Sequence, residues 1–100
     1  MAMLLTADAL SAEDAHRVGI VTQLVESNPL EAATAIATRI AQQAPLAVQA
    51  TLASARAALV DAQAEHQKLP GRLGALMMTK DVGRGMEAFV TKKPAVFEGD

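Results

Sequence analysis

Two phenylalanines, Phe89 and Phe97, are the only aromatic residues in a chain that is otherwise half apolar. There is no Trp or Tyr, yet 51% of the 100 residues are hydrophobic, many of them alanine. Aromatic side chains normally supply much of the area that a small core buries, and alanine supplies little. A chain of this length makes one small domain or a piece of a larger one. Two solutions remain: helices brought close together by alanine, or a fragment whose apolar faces are completed by another chain. The apolar content excludes intrinsic disorder.

Charge and cysteine usage exclude further classes. The formal net charge is −2, too balanced for a nucleic-acid module built on a basic surface. Without cysteine there is no disulfide framework, thiolate metal site or cysteine nucleophile, which suits a cytoplasmic location. No apolar run is long enough to span a bilayer. The opening Met1-Ala2-Met3-Leu4-Leu5 lacks the basic flank and longer apolar stretch of a signal peptide. Charge is distributed unevenly. Residues 1–67 carry three arginines against seven acids, a net −4, whereas residues 68–93 carry six cations against two acids, a net +4. That basic segment is either a solvated helix face or a surface that meets an anion.

Punctuation along the chain predicts a mainly α fold. Ser11 is placed to cap a short helix, with Asp14 where a capping-box acid sits and Gly19 to end it. Residues 20–25, Ile20 to Val25, are largely β-branched and read as one short strand, which cannot satisfy its own edges. Asn28-Pro29 opens a second helix, with apolar positions at Leu30, Ala33, Ile36, Ala37 and Ile40. Pro45 opens a third, with Val48, Leu52, Ala55, Leu59 and Ala62 as a narrow apolar seam. Pro70-Gly71 reads as a break. Leu73, Leu76 and Met77 then form one face of a short helix. Asp81 is a candidate N-cap for the last helix, in which Gly83 and Gly85 suggest a close backbone contact and which ends before Pro94.

No self-sufficient active site is legible. His16 and His66 belong to no metal-binding array, so no metal site is expected, and Ser11, Ser27 and Ser54 lack a nucleophile context. Glu13-Asp14 sits where a helix N-terminus favours acids regardless of chemistry. Met3, Met77, Met78 and Met86 read as core filler rather than a plastic binding surface. Phe89, three residues before Lys92, places an aromatic plate beside a cation. That pair is either packing or a base-and-phosphate contact.

Taken in order, the segments resemble the C-terminal portion of the crotonase superfamily, the enoyl-CoA hydratase/isomerase family. The residues that carry the likeness are Leu4-Leu5-Thr6, Leu10-Ser11-Ala12-Glu13-Asp14-Ala15 and Val18-Gly19-Ile20-Val21. They continue through Ala37-Thr38-Arg39-Ile40-Ala41 and Ala44-Pro45-Leu46-Ala47-Val48. Thr79-Lys80-Asp81, Gly85-Met86, Ala88-Phe89 and Lys92-Lys93-Pro94-Ala95-Val96-Phe97 complete them. The resemblance implies an α/β spiral core followed by a helical oligomerisation region. Residues 1–27 would be the end of the core, with a helix and the short strand, and residues 28–100 the helical assembly region. It implies a homo-oligomer, trimer or hexamer, acting on an acyl-CoA. No cofactor is expected beyond the coenzyme A thioester of the substrate, and no nucleic-acid or membrane partner.

By position, the coenzyme A contacts of the family fall on Phe89 and Lys92. The oxyanion hole and catalytic glutamates would precede Met1, so no catalytic residue is expected in this chain and the chain alone is predicted inactive. Its sequence departs from the family pattern at Ala7, where glycine is usual, and at Leu52, where lysine is common. Arg84 and Thr91 each stand in place of a usual glutamate. A free-standing all-α interaction module without catalysis is the alternative reading.

Overall fold

A computed structural model describes residues 2–100, with backbone alone for Ala2 and Leu4. Met1, which opens the segment weighed as a signal peptide, lies outside the described residues. The fold is mainly α, as expected. Its helices are α1 (Ala2–Thr6), α2 (Ala12–Arg17), α3 (Pro29–Ala41), α4 (Pro45–Ala58), α5 (Ala62–Met77) and α6 (Lys80–Thr91). None is long and apolar enough to cross a membrane. The chain divides into two compact units, Met1–Thr34 and Ala35–Asp100.

In the first unit the local signals act as the sequence predicts. The Ser11 hydroxyl accepts the Asp14 N–H at 3.0 Å, and Asp14 pairs with Arg17 at 2.7 Å. Gly19, at φ +79°, closes α2. Its N–H donates to the His16 carbonyl and that of Ile20 to the Ala15 carbonyl, the paired bonds of a Schellman closure. The expected strand over residues 20–25 does not form: no residue there is in a strand. The N–H groups of Ile20 and Val21 both go to the Ala15 carbonyl, and no other strand among the described residues offers a ladder. Asn28 Oδ1 accepts from the Leu30 and Glu31 N–H groups, which starts α3 with Pro29 in its first position.

In the second unit α4 and α5 make the one substantial helix–helix contact among the described residues. The seam predicted through Leu59 and Ala62 is interrupted. Helix α4 stops at Ala58, Leu59 is 88% exposed, and Asp61 caps α5 by accepting the Ala64 N–H at 2.9 Å. A side-chain cap offers the backbone an alternative to continued helix, and here it turns one helix into a hairpin. The predicted break at Pro70-Gly71 is also absent, since Pro70 lies inside an unbroken α5. An interior proline removes a hydrogen bond and costs roughly 3 kcal/mol. Glu65 and Arg72 span it, with Nε–Oε1 at 2.6 Å and Nη2–Oε2 at 3.1 Å. Arg72 holds the Glu65 carboxyl below its ordinary value, helped by the Ser54 hydroxyl of α4 and opposed by burial.

Asp81 is not the N-cap of α6; Thr79 takes that place, and Asp81 lies buried in the first turn. Its carboxylate is aimed at the C-terminal tail instead, accepting the Glu98 and Gly99 N–H groups at 2.9 Å each. Arg84 pairs with Asp81 at 2.7 Å and also with Glu98 and Asp100. Lys80 donates its backbone N–H to the Asp100 carbonyl and its Nζ to Asp100 Oδ2 at 2.6 Å. Residues 94–100 therefore run back along α6, with the Phe97 ring 3.6 Å from where a Cβ on Gly85 would stand. No such contact is found at Gly83. Burial pushes the Asp81 carboxyl up, but the two amides and Arg84 outweigh it, leaving it below its ordinary value. Arg84, with Lys80, draws Asp100 down to about 2.

Two expected outcomes follow from these local geometries. Ala7, at φ +58°, is a non-glycine residue in the left-handed region, where an L side chain is strained by roughly 1–2 kcal/mol. Ala7→Gly relieves that strain and should raise the denaturation midpoint in urea by the equivalent of about 1 kcal/mol. The tail latch is pH-dependent in a fixed direction. Carboxyls depressed in the folded state stabilise it fully above their unfolded values, and the effect is lost as pH falls through the folded values. The melting-temperature difference between wild type and Arg84→Gln should thus hold steady from neutrality down to the ordinary aspartate value of 3.8 and shrink as pH approaches 2. A difference that grows on acidification would contradict this electrostatic origin.

Candidate functional site

The last turn of α6 brings together the two residues singled out in the sequence. Phe89 projects into solvent, 73% exposed. Lys92 follows the helix in the left-handed conformation, φ +56°, and its N–H donates to the Ala88 carbonyl. This reversal swings the Lys92 side chain back over its own helix, and Nζ stands 4.3 Å from the centre of the Phe89 ring. A cation over a ring face is attracted by the ring quadrupole. Met86, one helical turn before Phe89, is 63% exposed and Val90 is 74% exposed, so this end of α6 leaves further apolar surface uncovered.

Three of the six cations of residues 68–93 are paired inside the fold, whereas Lys68 on α5 has no ion pair among the described residues. Arg72 is taken up by Glu65, Lys80 by Asp100, and Arg84 by Asp81, Glu98 and Asp100. Lys92 and Lys93, at the end of α6, have no carboxylate partner among the described residues. Lys92 places its ammonium against an exposed ring, and Lys93 adds a second cation at the next position in the chain. The arrangement can stack a planar base and receive an anion, and it holds no nucleophile. Among the described residues, no three His, Cys, Asp or Glu side chains are grouped so as to hold a metal ion.

A second feature lies between α4 and α5. A groove of about 740 Å³ is walled by Thr51, Ser54, Ala55, Leu69, Leu73 and Leu76 among others, with His66 and Arg72 also lining it. The methionines read as core filler are on the surface instead, Met77 at 58% and Met78 at 87% exposure. Among the described residues, none buries the apolar side chains of this groove completely. Sequence reading missed Glu65 and gave Asp81 the wrong role; these are the two buried polar side chains among the described residues. The available signals were the Glu65–Arg72 spacing of two helical turns and the Asp81–Arg84 spacing of one.

Comparison with known proteins agrees along the whole chain. The family described as Enoyl-CoA hydratase/isomerase matches residues 1–100. An (E)-benzylidenesuccinyl-CoA hydratase of Thauera aromatica is 40% identical over 102 aligned residues, covering 99% of this chain and 40% of that protein. A mitochondrial enoyl-CoA hydratase of Pongo abelii is 35% identical, covering 98% of this chain and 34% of the relative. The crystal structure of a probable enoyl-CoA hydratase/isomerase from Mycobacterium abscessus superposes with a TM-score of 0.90 at 41% identity, over 99% of this chain and 40% of that one. The chain thus spans two fifths or less of the length of these relatives. A match across every residue, at these identities, makes the chain a member of the enoyl-CoA hydratase/isomerase family.

Proposed function

We propose that the chain is the C-terminal assembly region of an acyl-CoA enzyme, most simply an enoyl-CoA hydratase, and that it supplies subunit packing and one wall of the coenzyme A site. The observation that carries this reading is the exposed Phe89 ring with the Lys92 ammonium 4.3 Å above it. Coenzyme A offers the complementary groups, an adenine to lie against a ring and phosphates to meet ammonium groups. The parent reaction adds water across a double bond conjugated to a thioester. It depends on donors that stabilise the developing oxyanion, and these would come from the rest of the enzyme. The same reading makes the protein a cytoplasmic homo-oligomer needing no cofactor beyond the coenzyme A of its substrate.

Assembly is supported by the apolar surface. No apolar side chain among the described residues is buried, and Leu59, Val60 and Met78 are each at least 87% exposed. Surfaces of this kind in a native chain mark contact with another surface. Light scattering on the 100-residue chain at micromolar concentration should give a mass well above 10.4 kDa. A clean monomer with a sharp cooperative melt would count against the assembly role.

The site reading is tested in the full-length enzyme. Base–aromatic stacking in nucleic-acid complexes is worth roughly 1–3 kcal/mol, so Phe89→Ala should raise the Michaelis constant for acyl-CoA about fivefold or more. An exposed lysine–phosphate contact is weak and screened by salt. Lys92→Ala should weaken binding about two- to fivefold at low ionic strength and flatten its salt dependence. Unchanged constants for both variants at low and high salt would make this end of α6 purely structural.

A further inference from the structure

We propose that residues 93–100 form a strap that holds the Lys92 ammonium over the Phe89 ring, with Asp81 and Arg84 as the positioning residues that latch it. The strap is argued from contacts within the chain; its consequence for coenzyme A rests on the reading given above.

The end of α6 and the tail form a loop closed at two places. One is the reversal at Lys92, where a non-glycine residue occupies the left-handed region and the Lys92 and Lys93 N–H groups converge on the Ala88 carbonyl. That backbone conformation is disfavoured for an L residue and persists only where its surroundings over-determine it. The second closure supplies the surroundings. Asp81, 5% exposed, accepts two successive main-chain N–H groups of the tail. Arg84 joins Asp81 to Glu98 and Asp100.

The tail has little freedom between these points. Phe97 rests against Gly85, and Gly99, at φ +80°, leaves only 3.3 Å between a would-be Cβ and the Pro45 ring. Gly99 is therefore favoured by its conformation, and any side chain there would press on the Pro45 ring. Two amides on one buried carboxylate fix the tail's register as well as its proximity, which a surface ion pair does not do. With register fixed at Asp81 and direction fixed by Phe97, the chain can leave α6 only through the reversal seen at Lys92. Opening the latch frees the reversal, and the Lys92 side chain then samples solvent rather than the ring face.

The experiment uses the complete natural polypeptide labelled with carbon-13 at lysine Cε. The Lys92 resonance is identified by its ring-current shift, which Phe89→Leu abolishes. Asp81→Asn removes the charge from the latch, and Arg84→Gln provides a second variant at a less buried position. In either, the Glu98 and Gly99 amides should exchange at least roughly tenfold faster, the Lys92 ring-current shift should collapse, and coenzyme A affinity should fall about two- to fivefold, as expected when an exposed lysine–phosphate contact is no longer positioned. Amides that stay protected in both variants would show that there is no latch. Freed amides with the ring-current shift intact would show that the strap does not position Lys92. If Phe89→Leu leaves coenzyme A affinity unchanged, the binding reading fails, while the ring-current result still decides the strap. If Phe89→Leu weakens binding but the latch variants, with their shift lost, bind as wild type, the positioning role is overturned.

Discussion

A carboxylate withdrawn from water must find donors for its oxygens, because an unsatisfied buried charge is among the costliest features a fold can carry. The only buried side chains among the described residues are two such carboxylates, Glu65 and Asp81. Each organises the structure around it. Glu65 draws Arg72 across the proline of α5 and reaches Ser54 on α4, tying the hairpin at the point where the α5 ladder lacks a donor. Asp81 gathers two tail amides and Arg84, so a segment with no regular structure acquires a fixed course. In a chain with two aromatic residues and, among the described residues, no buried apolar side chain, these polar ties do locally what a hydrophobic core does elsewhere.

The same ties decide where positive charge is left over. The cations at 72, 80 and 84 are each bound to acids of the chain itself, so the segment's formal excess overstates its field. Among the described residues, Lys68 on α5 is left without an ion pair, and so are Lys92 and Lys93 at the end of α6, where the Lys92 ammonium stands over the exposed Phe89. A diffuse basic face would draw anions of many kinds, whereas an ammonium held over one ring is the arrangement on which the proposed phosphate-and-base ligand depends.

The sequence was most legible where a single residue fixes the backbone. Ser11, Gly19 and Asn28 each act through one short-range hydrogen bond or one dihedral angle, and neighbouring residues suffice to show it. The Phe89–Lys92 pair was legible for the same reason, as a three-residue spacing. Errors arose where the outcome depends on competition or on distant partners. Residues 20–25 have strand chemistry but nothing to pair with. The seam through Leu59 reads as one helix until Asp61 is recognised as a cap. Pro70 reads as a break until Glu65 and Arg72 are seen to brace it. Asp81 looks like a cap because helix starts favour aspartate, and only the folded tail shows that its acceptors serve residues 98 and 99.

Arg84 joins these observations to the family likeness. It stands where the family pattern places glutamate, and in isolation it looks like a loss. In the fold, position 84 lies one helical turn from Asp81 and faces Glu98 and Asp100. A glutamate there would put four carboxylates around one point, and repulsion among like charges would drive the tail off the helix. Arginine is compatible because its planar fork can serve several carboxylates at once. The departure at 84 and the acidic character of Glu98 and Asp100 are therefore one feature, not three. The tail keeps its course along α6 through charge complementarity internal to this chain, and any change at one of these positions must be read together with the others.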